Sequence, residues 1–289
     1  CRVGFLAPEA STRNAESITE EMCRGIQRII SPRGMDLVLD YYPMDSTLST
    51  PIPRILRENR VDGILVRPPS NRSVLVKLCR NRKAVVLGNT FADLDLPCVI
   101  TDDRAGMRMV MDYLFELGHR RIAFAGNTLD SLLVVNRLEA YRRGLEQQRI
   151  PSDQRLVKLH EAWSLSPEQM TDFCRRSLDE LLTLEEPPTA IVCATDSLAL
   201  ELIQAARMRR LRIPENLSIT GYGDMYYAAF MDPSLTTVRV DQRATGEAAA
   251  MQLLQQIEGA THVSQTLIRP TFVERRSCAA LKTANSISP

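Results

Sequence analysis

Apolar positions follow two rhythms along the first hundred residues. Short apolar or β-branched runs occupy Arg2–Ala7, Met35–Tyr41, Gly63–Val66, Ala84–Leu87 and Cys98–Ile100, and the segments between them carry a helical spacing. The first such segment shows the logic. Asn14 is placed to cap it, Ile18, Met22, Ile26 and Ile29 recur every three or four residues, and Gly34 follows its end. An apolar stripe of that kind has to lie on a sheet. Strands alternating with helices predict right-handed βαβ units and therefore a parallel sheet.

After a helix over Asp103–Leu117 the rhythm restarts. Strands are predicted at Arg121–Ala125, Leu156–Leu159, Ala190–Cys193 and Ser218–Tyr222, with helices between them, so a second sheet is expected. Gly118 stands where a helix end needs a residue free to take positive φ, and Ile122–Ala125 suits a strand covered on both faces. Further on, Leu235–Val240 reads as extended, Thr245–Ile257 as a helix stopped by Gly259, and Thr266–Glu274 as two short extended pieces around Pro270. A late helix and strand that return to the first lobe give three crossings. The fold class predicted is α/β, two similar doubly wound parallel-sheet lobes. Residues 1–118 plus 240–266 are assigned to the first lobe, 119–239 plus 267–276 to the second, and 277–289 to a flexible tail.

Composition narrows the function classes. A chain of 289 residues that is 44% hydrophobic can fill two cores. Lys plus Arg (36) nearly balances Asp plus Glu (35), too even for a domain that grips a phosphate backbone by itself. Seven widely spaced cysteines without a C-x-x-C pair argue against a disulfide framework or a zinc site, and fit reduced thiols in a cytoplasmic protein. With three histidines in the chain, no metal site is expected. No run approaches a membrane span. The sequence has no G-x-S-x-G elbow and no cofactor fingerprint, so neither enzymatic activity nor a cofactor is expected; Asp102-Asp103 reads as a helix start. The chain begins at Cys1 inside the first predicted strand, without an initiator Met, so an upstream segment is expected to have been removed.

Seven segments in order then carry a family resemblance: RVDGILV at Arg60–Val66, TDDRAG at Thr101–Gly106, LGHRRIAF at Leu117–Phe124, RLEAY at Arg137–Tyr141, PTAIVCATD at Pro188–Asp196, IPENLSITGY at Ile213–Tyr222 and LTTV at Leu235–Val238. Over residues 2–276 the chain resembles the effector-binding region of the LacI/GalR family of bacterial transcription regulators. The resemblance implies two periplasmic-binding-protein-like lobes of type I joined by a three-crossover hinge, with a small effector, most readily a sugar or sugar derivative, in the cleft between them. It also implies a homodimer that meets operator DNA only through a helix-turn-helix headpiece absent from this chain. The competing reading is a secreted solute-binding protein of a transporter, which shares the fold.

Candidate effector-binding residues follow from the same resemblance and from the rule that ligands collect at the carboxyl ends of parallel strands. Arg137 coincides with an arginine that reaches the effector in family members, and a planar guanidinium suits hydroxyl pairs or a carboxylate. Its replacement by Ala is expected to abolish effector binding while leaving the effector-free protein folded. Trp163, the only tryptophan, can stack on a sugar or base, or instead pack in a core. Thr195 stands where sugar-binding members carry Asn, and Asp196 is expected chiefly as a helix N-cap. Many members have an Asp directly after Gly-Tyr; here that place is Gly223, and Asp224 comes one residue later, which makes a free-sugar ligand less secure. Arg13 and Asn14 border the cleft from the first lobe, or face solvent.

Overall fold

The computed structural model describes residues 1–9, 13–91, 93–162, 165–260 and 265–281, with backbone alone for 13–16. In chain order the strands are β1 (Arg2–Pro8), β2 (Asp36–Tyr42), β3 (Gly63–Val66), β4 (Ala84–Leu87), β5 (Cys98–Thr101), β6 (Ile122–Gly126), β7 (Val157–Leu159), β8 (Ala190–Cys193), β9 (Ser218–Thr220), β10 (Thr237–Arg239), β11 (Gln265–Ile268) and β12 (Thr271–Val273). The helices are α1 (Arg13–Ile30), α2 (Arg54–Arg57), α3 (Arg72–Cys79), α4 (Asp103–Glu116), α5 (Leu132–Gln147), α6 (Pro167–Leu182), α7 (Asp196–Met208) and α8 (Gln242–Ile257). The chain divides into two compact units, one of Cys1–Asp102 with Ser131–Leu133 and Asp241–Arg269, the other of the remaining residues.

The first unit holds a six-stranded sheet in the order β11-β5-β4-β3-β1-β2, with every pairing parallel. Its inner strands β3, β4 and β5 are buried at every position, as an apolar run covered on both faces requires. Helices α1 and α8 lie against one another almost backbone to backbone. A Cβ on Gly25 would stand 2.1 Å from the Arg243 carbonyl oxygen and one on Gly246 2.2 Å from that of Met22. The two glycines therefore set the helix spacing, and Met22, Ile26 and Ile30 fill the core beside it. Helix α1 starts at Arg13, so Asn14 lies within its first turn and is not the N-cap that the sequence predicts.

The second unit holds a four-stranded parallel sheet in the order β7-β6-β8-β9 and an antiparallel pair, β10 with β12. All five residues of β6 are buried. The stretch that precedes it behaves as its glycine predicts: Gly118 takes φ 88°, and the His119 N–H bonds back to the Leu114 carbonyl at 3.0 Å, closing α4 with a left-handed cap.

Three assignments made from the sequence move. Helix α4, expected in the first lobe, belongs to the second unit, because Met107, Val110, Met111 and Leu114 are built into that unit's core. Strand β11 and the residues to Arg269 stay with the first unit, since β11 completes its sheet beside β5. Residues 277–281, expected as part of a flexible tail, are fixed: Ser277 is buried, its hydroxyl donates to the Ile219 carbonyl at 2.6 Å, and the Leu281 N–H bonds to the Leu117 carbonyl at 2.9 Å. Among the described residues no helix is long and apolar enough to cross a membrane.

Candidate functional site

At the carboxyl ends of β6, β8 and β9 the second unit gathers a buried polar cluster. Arg137 extends from α5, and its Nε and Nη2 donate to Asp103 Oδ1 at 2.8 and 2.6 Å while Nη1 donates to the Ala194 carbonyl at the end of β8. Its guanidinium carbon sits 3.5 Å from the centre of the Tyr222 ring, which follows β9. Arg137 is 6% exposed and Asp103 2%, so the pair is desolvated. Asp103 opens α4, and the positive end of that helix favours its carboxylate.

Thr195 and Asp196 divide the roles expected of them differently. Thr195 is the N-cap of α7, accepting the Leu198 N–H at 3.3 Å, whereas Asp196 is the first helical residue and turns its carboxylate into the core. The Thr237 hydroxyl donates to Asp196 Oδ1 at 2.5 Å and the Met225 N–H to Oδ2 at 2.7 Å. Burial raises the Asp196 pKa above the usual carboxylate value; the two hydrogen bonds oppose that rise and the neighbouring Asp224 adds to it.

The loop after β9 is shaped around this carboxylate. A Cβ on Gly221 would lie 2.2 Å from Asp196 Oδ1, so glycine alone permits the approach. Gly223 has φ 134°, and a Cβ there would point toward Asp196 Oδ2 at 3.5 Å. Asp224 takes φ 51° and is held by Arg239 Nε and Arg275 Nη2, each at 2.7 Å. Its side chain is 7% exposed.

The structure thus brings Arg137, Thr195, Asp196 and Asp224 into one unit, three of them with charges answered by internal partners. Trp163 and the side chains of Arg13 and Asn14 lie outside the described residues. Sequence reasoning missed the partners Asp103, Tyr222, Thr237, Arg239 and Arg275; the signal for three of them was that Asp103, Tyr222 and Thr237 lie within segments that carry the resemblance. In the first unit it also missed Arg67, which leaves β3 and donates through Nη1 to Thr19 Oγ1 at 2.6 Å, and Asn89, which leaves β4 and donates to Ser131 Oγ at 3.0 Å.

A family described as a periplasmic binding protein-like domain matches residues 111–278. The HTH-type transcriptional repressor PurR of Vibrio atlanticus is 30% identical over 234 residues, 79% of this chain and 67% of that protein. The chain belongs to the LacI/GalR family. The ribose operon repressor of Haemophilus influenzae is 26% identical across 91% of this chain and 77% of its own length. A LacI family transcriptional regulator from Mycobacterium smegmatis superposes with a TM-score of 0.79 at 25% identity, over 96% of this chain and 99% of that one. This LacI/GalR chain is an effector-binding region, and its relatives are transcriptional repressors, not enzymes; the transporter reading is not favoured.

Proposed function

We propose that the region senses a small hydroxyl-bearing effector, a sugar or sugar derivative, through the polar cluster of the second unit. It acts as a homodimer in the cytoplasm and controls operator binding by a helix-turn-helix headpiece outside this chain. The observation that carries this reading is the set of buried, oppositely charged groups at the carboxyl ends of β6, β8 and β9 in a chain whose relatives are repressors. Asp196 supplies the acceptor that Gly223 removes from the loop: its Oδ2 lies 3.5 Å from the point where a Cβ of residue 223 would stand. Arg137 supplies the donors, exchanging part of its bonding to Asp103 and Ala194 for effector hydroxyls. The family resemblance adds Trp163, Arg13 and Asn14 to the proposed contact set. The relative that represses a ribose operon supports a sugar as the ligand class.

A thermal-shift screen of sugars, sugar acids, sugar phosphates and nucleosides tests the reading, because a ligand that binds only the native state raises Tm with concentration. At least one class is expected to do so, and Asp196→Asn is expected to weaken the response. No response from any class, or full retention in the Asn variant, overturns the assignment of the cluster. Sedimentation tests the second half of the proposal, with a dimer expected; a monomer at micromolar concentration would favour the transporter reading instead.

A further inference from the structure

A second site with no place in the effector reading lies between α4 and α5. Arg104 and Arg108 stand four residues apart on α4, and Glu139, Arg143 and Gln147 repeat at the same interval on α5, so each set forms one row along its helix. The two rows line a single cavity of about 210 Å³, together with Ala140 and Gly144. Its narrow floor has a packing cause. A Cβ on Gly144 would stand 3.1 Å from the Met111 Cβ, so the helices come together there as only glycine comfortably allows.

The charges in this groove do not cancel. Glu139 Oε2 accepts from Arg104 Nη2 at 2.6 Å and Nε at 3.2 Å, which neutralises one arginine. Among the described residues Arg108 and Arg143 form no ion pair, and both line the same cavity. Arg108 from α4 and Arg143 and Gln147 from α5 line this one cavity, so that donors from both helices are available to one small group of charge about −2. A carboxylate would answer one guanidinium and leave the other. The cavity is also too small for a strand of nucleic acid.

We propose that the α4–α5 groove binds a phosphate group, either as free phosphate or as the terminal group of a phosphomonoester. Arg108 and Arg143 clamp its oxygens, and the Glu139–Arg104 pair closes one end of the groove.

Calorimetric titration of the whole chain with inorganic phosphate and with glycerol 3-phosphate, against chloride and acetate at matched ionic strength, tests the proposal. Saturable binding of a phosphate probe and none of acetate is expected. If both phosphate probes bind alike, the phosphate group alone is recognised; if only the ester binds, the ester is the physiological source. R108Q and R143Q are each expected to weaken binding about tenfold, and R142Q, which changes an exposed neighbour that does not line this cavity, to leave it unchanged. Phosphate binding no stronger than that of chloride, or binding that survives in the R108Q/R143Q double variant, overturns the site. Because these side chains are exposed, each variant's Tm should match that of the parent, which separates lost binding from lost fold.

Discussion

A guanidinium that is 6% exposed and bonded to a carboxylate that is 2% exposed is part of the fold before it is part of any ligand site. This changes what removal of Arg137 should do. Arg137→Ala removes the ion-pair partner of a buried Asp103, and loss of one member of such a pair costs about 3–5 kcal/mol. The effector-free variant is therefore expected to unfold at markedly lower urea, so that the sequence-based expectation of a folded effector-free variant holds only with a reduced margin of stability. The double variant Arg137→Met/Asp103→Leu should recover much of the loss; additive losses in urea titrations would show that the two residues do not act as a pair. Gly221 is the second residue of this kind. Alanine there meets Asp196 Oδ1 at 2.2 Å and Leu235 Cδ2 at 2.8 Å, so Gly221→Ala is expected to cost about 2 kcal/mol or more by forcing the α7 N-terminus away from β9. A variant as stable as the parent would mean that the loop relaxes freely. The sequence offered Arg137 through a motif, but Asp103 lies 34 positions earlier, and nothing in residue type or spacing says which carboxylate a buried arginine will meet.

At the scale of elements, the strands were the most legible part. Runs such as Gly63–Val66 and Ala190–Cys193 are apolar at every position, and the structure makes each an inner strand. The segment 277–281 was not legible, because it is held by a serine hydroxyl, backbone groups and one histidine, none of which leaves an apolar period. Ser277 Oγ accepts the Thr236 N–H at 2.9 Å and donates to the Ile219 carbonyl, while His119 bridges Thr189 Oγ1 at 2.9 Å and the Ala279 carbonyl at 3.1 Å. Ser277→Ala leaves both backbone groups buried without that partner and is expected to cost about 1–3 kcal/mol, read as a lower midpoint in urea with an unchanged slope. His119 adds a pH dependence. Burial lowers its pKa, with Arg120 acting in the same direction and the Ala279 bond against it. The unfolded chain then binds the proton more readily than the folded one. Stability from this residue is complete above the ordinary value of about 6.5 and falls as pH drops from there toward the folded pKa. Urea midpoints measured between pH 7.5 and 5.5 should decline at the acid end, and His119→Gln should flatten that decline. An unchanged slope in the variant would assign the effect to other groups.

For the molecule as a whole, periodicity shows that a helix has an apolar face but not which sheet the face will cover. Helix α4 illustrates this: Met107, Val110, Met111 and Leu114 form a clear stripe, yet their place in the second core is fixed by contacts with β10 and β12, more than 100 residues later in the chain. The division into two α/β units was readable; the expected three passages were not, because Ser131–Leu133 joins the first unit and the chain changes unit five times, each boundary depending on such distant partners. Charge is the molecular property read most directly, and it bears on DNA. A formal charge of +1 over 289 residues leaves little counterion release to drive binding, so this chain alone is expected to leave a generic duplex unshifted at about 10 µM protein and about 150 mM salt in a gel-retardation experiment. In the α4–α5 groove that balance is locally broken, with three arginines against one glutamate. Retardation that disappears in R108Q/R143Q would make that groove a phosphate-backbone contact and not a pocket for a small anion. Retardation that persists in the double variant would place a basic face elsewhere. No retardation in either protein, together with calorimetric phosphate binding in the parent, is the result expected if DNA affinity lies in a headpiece outside this chain and the α4–α5 groove answers to a small phosphorylated ligand.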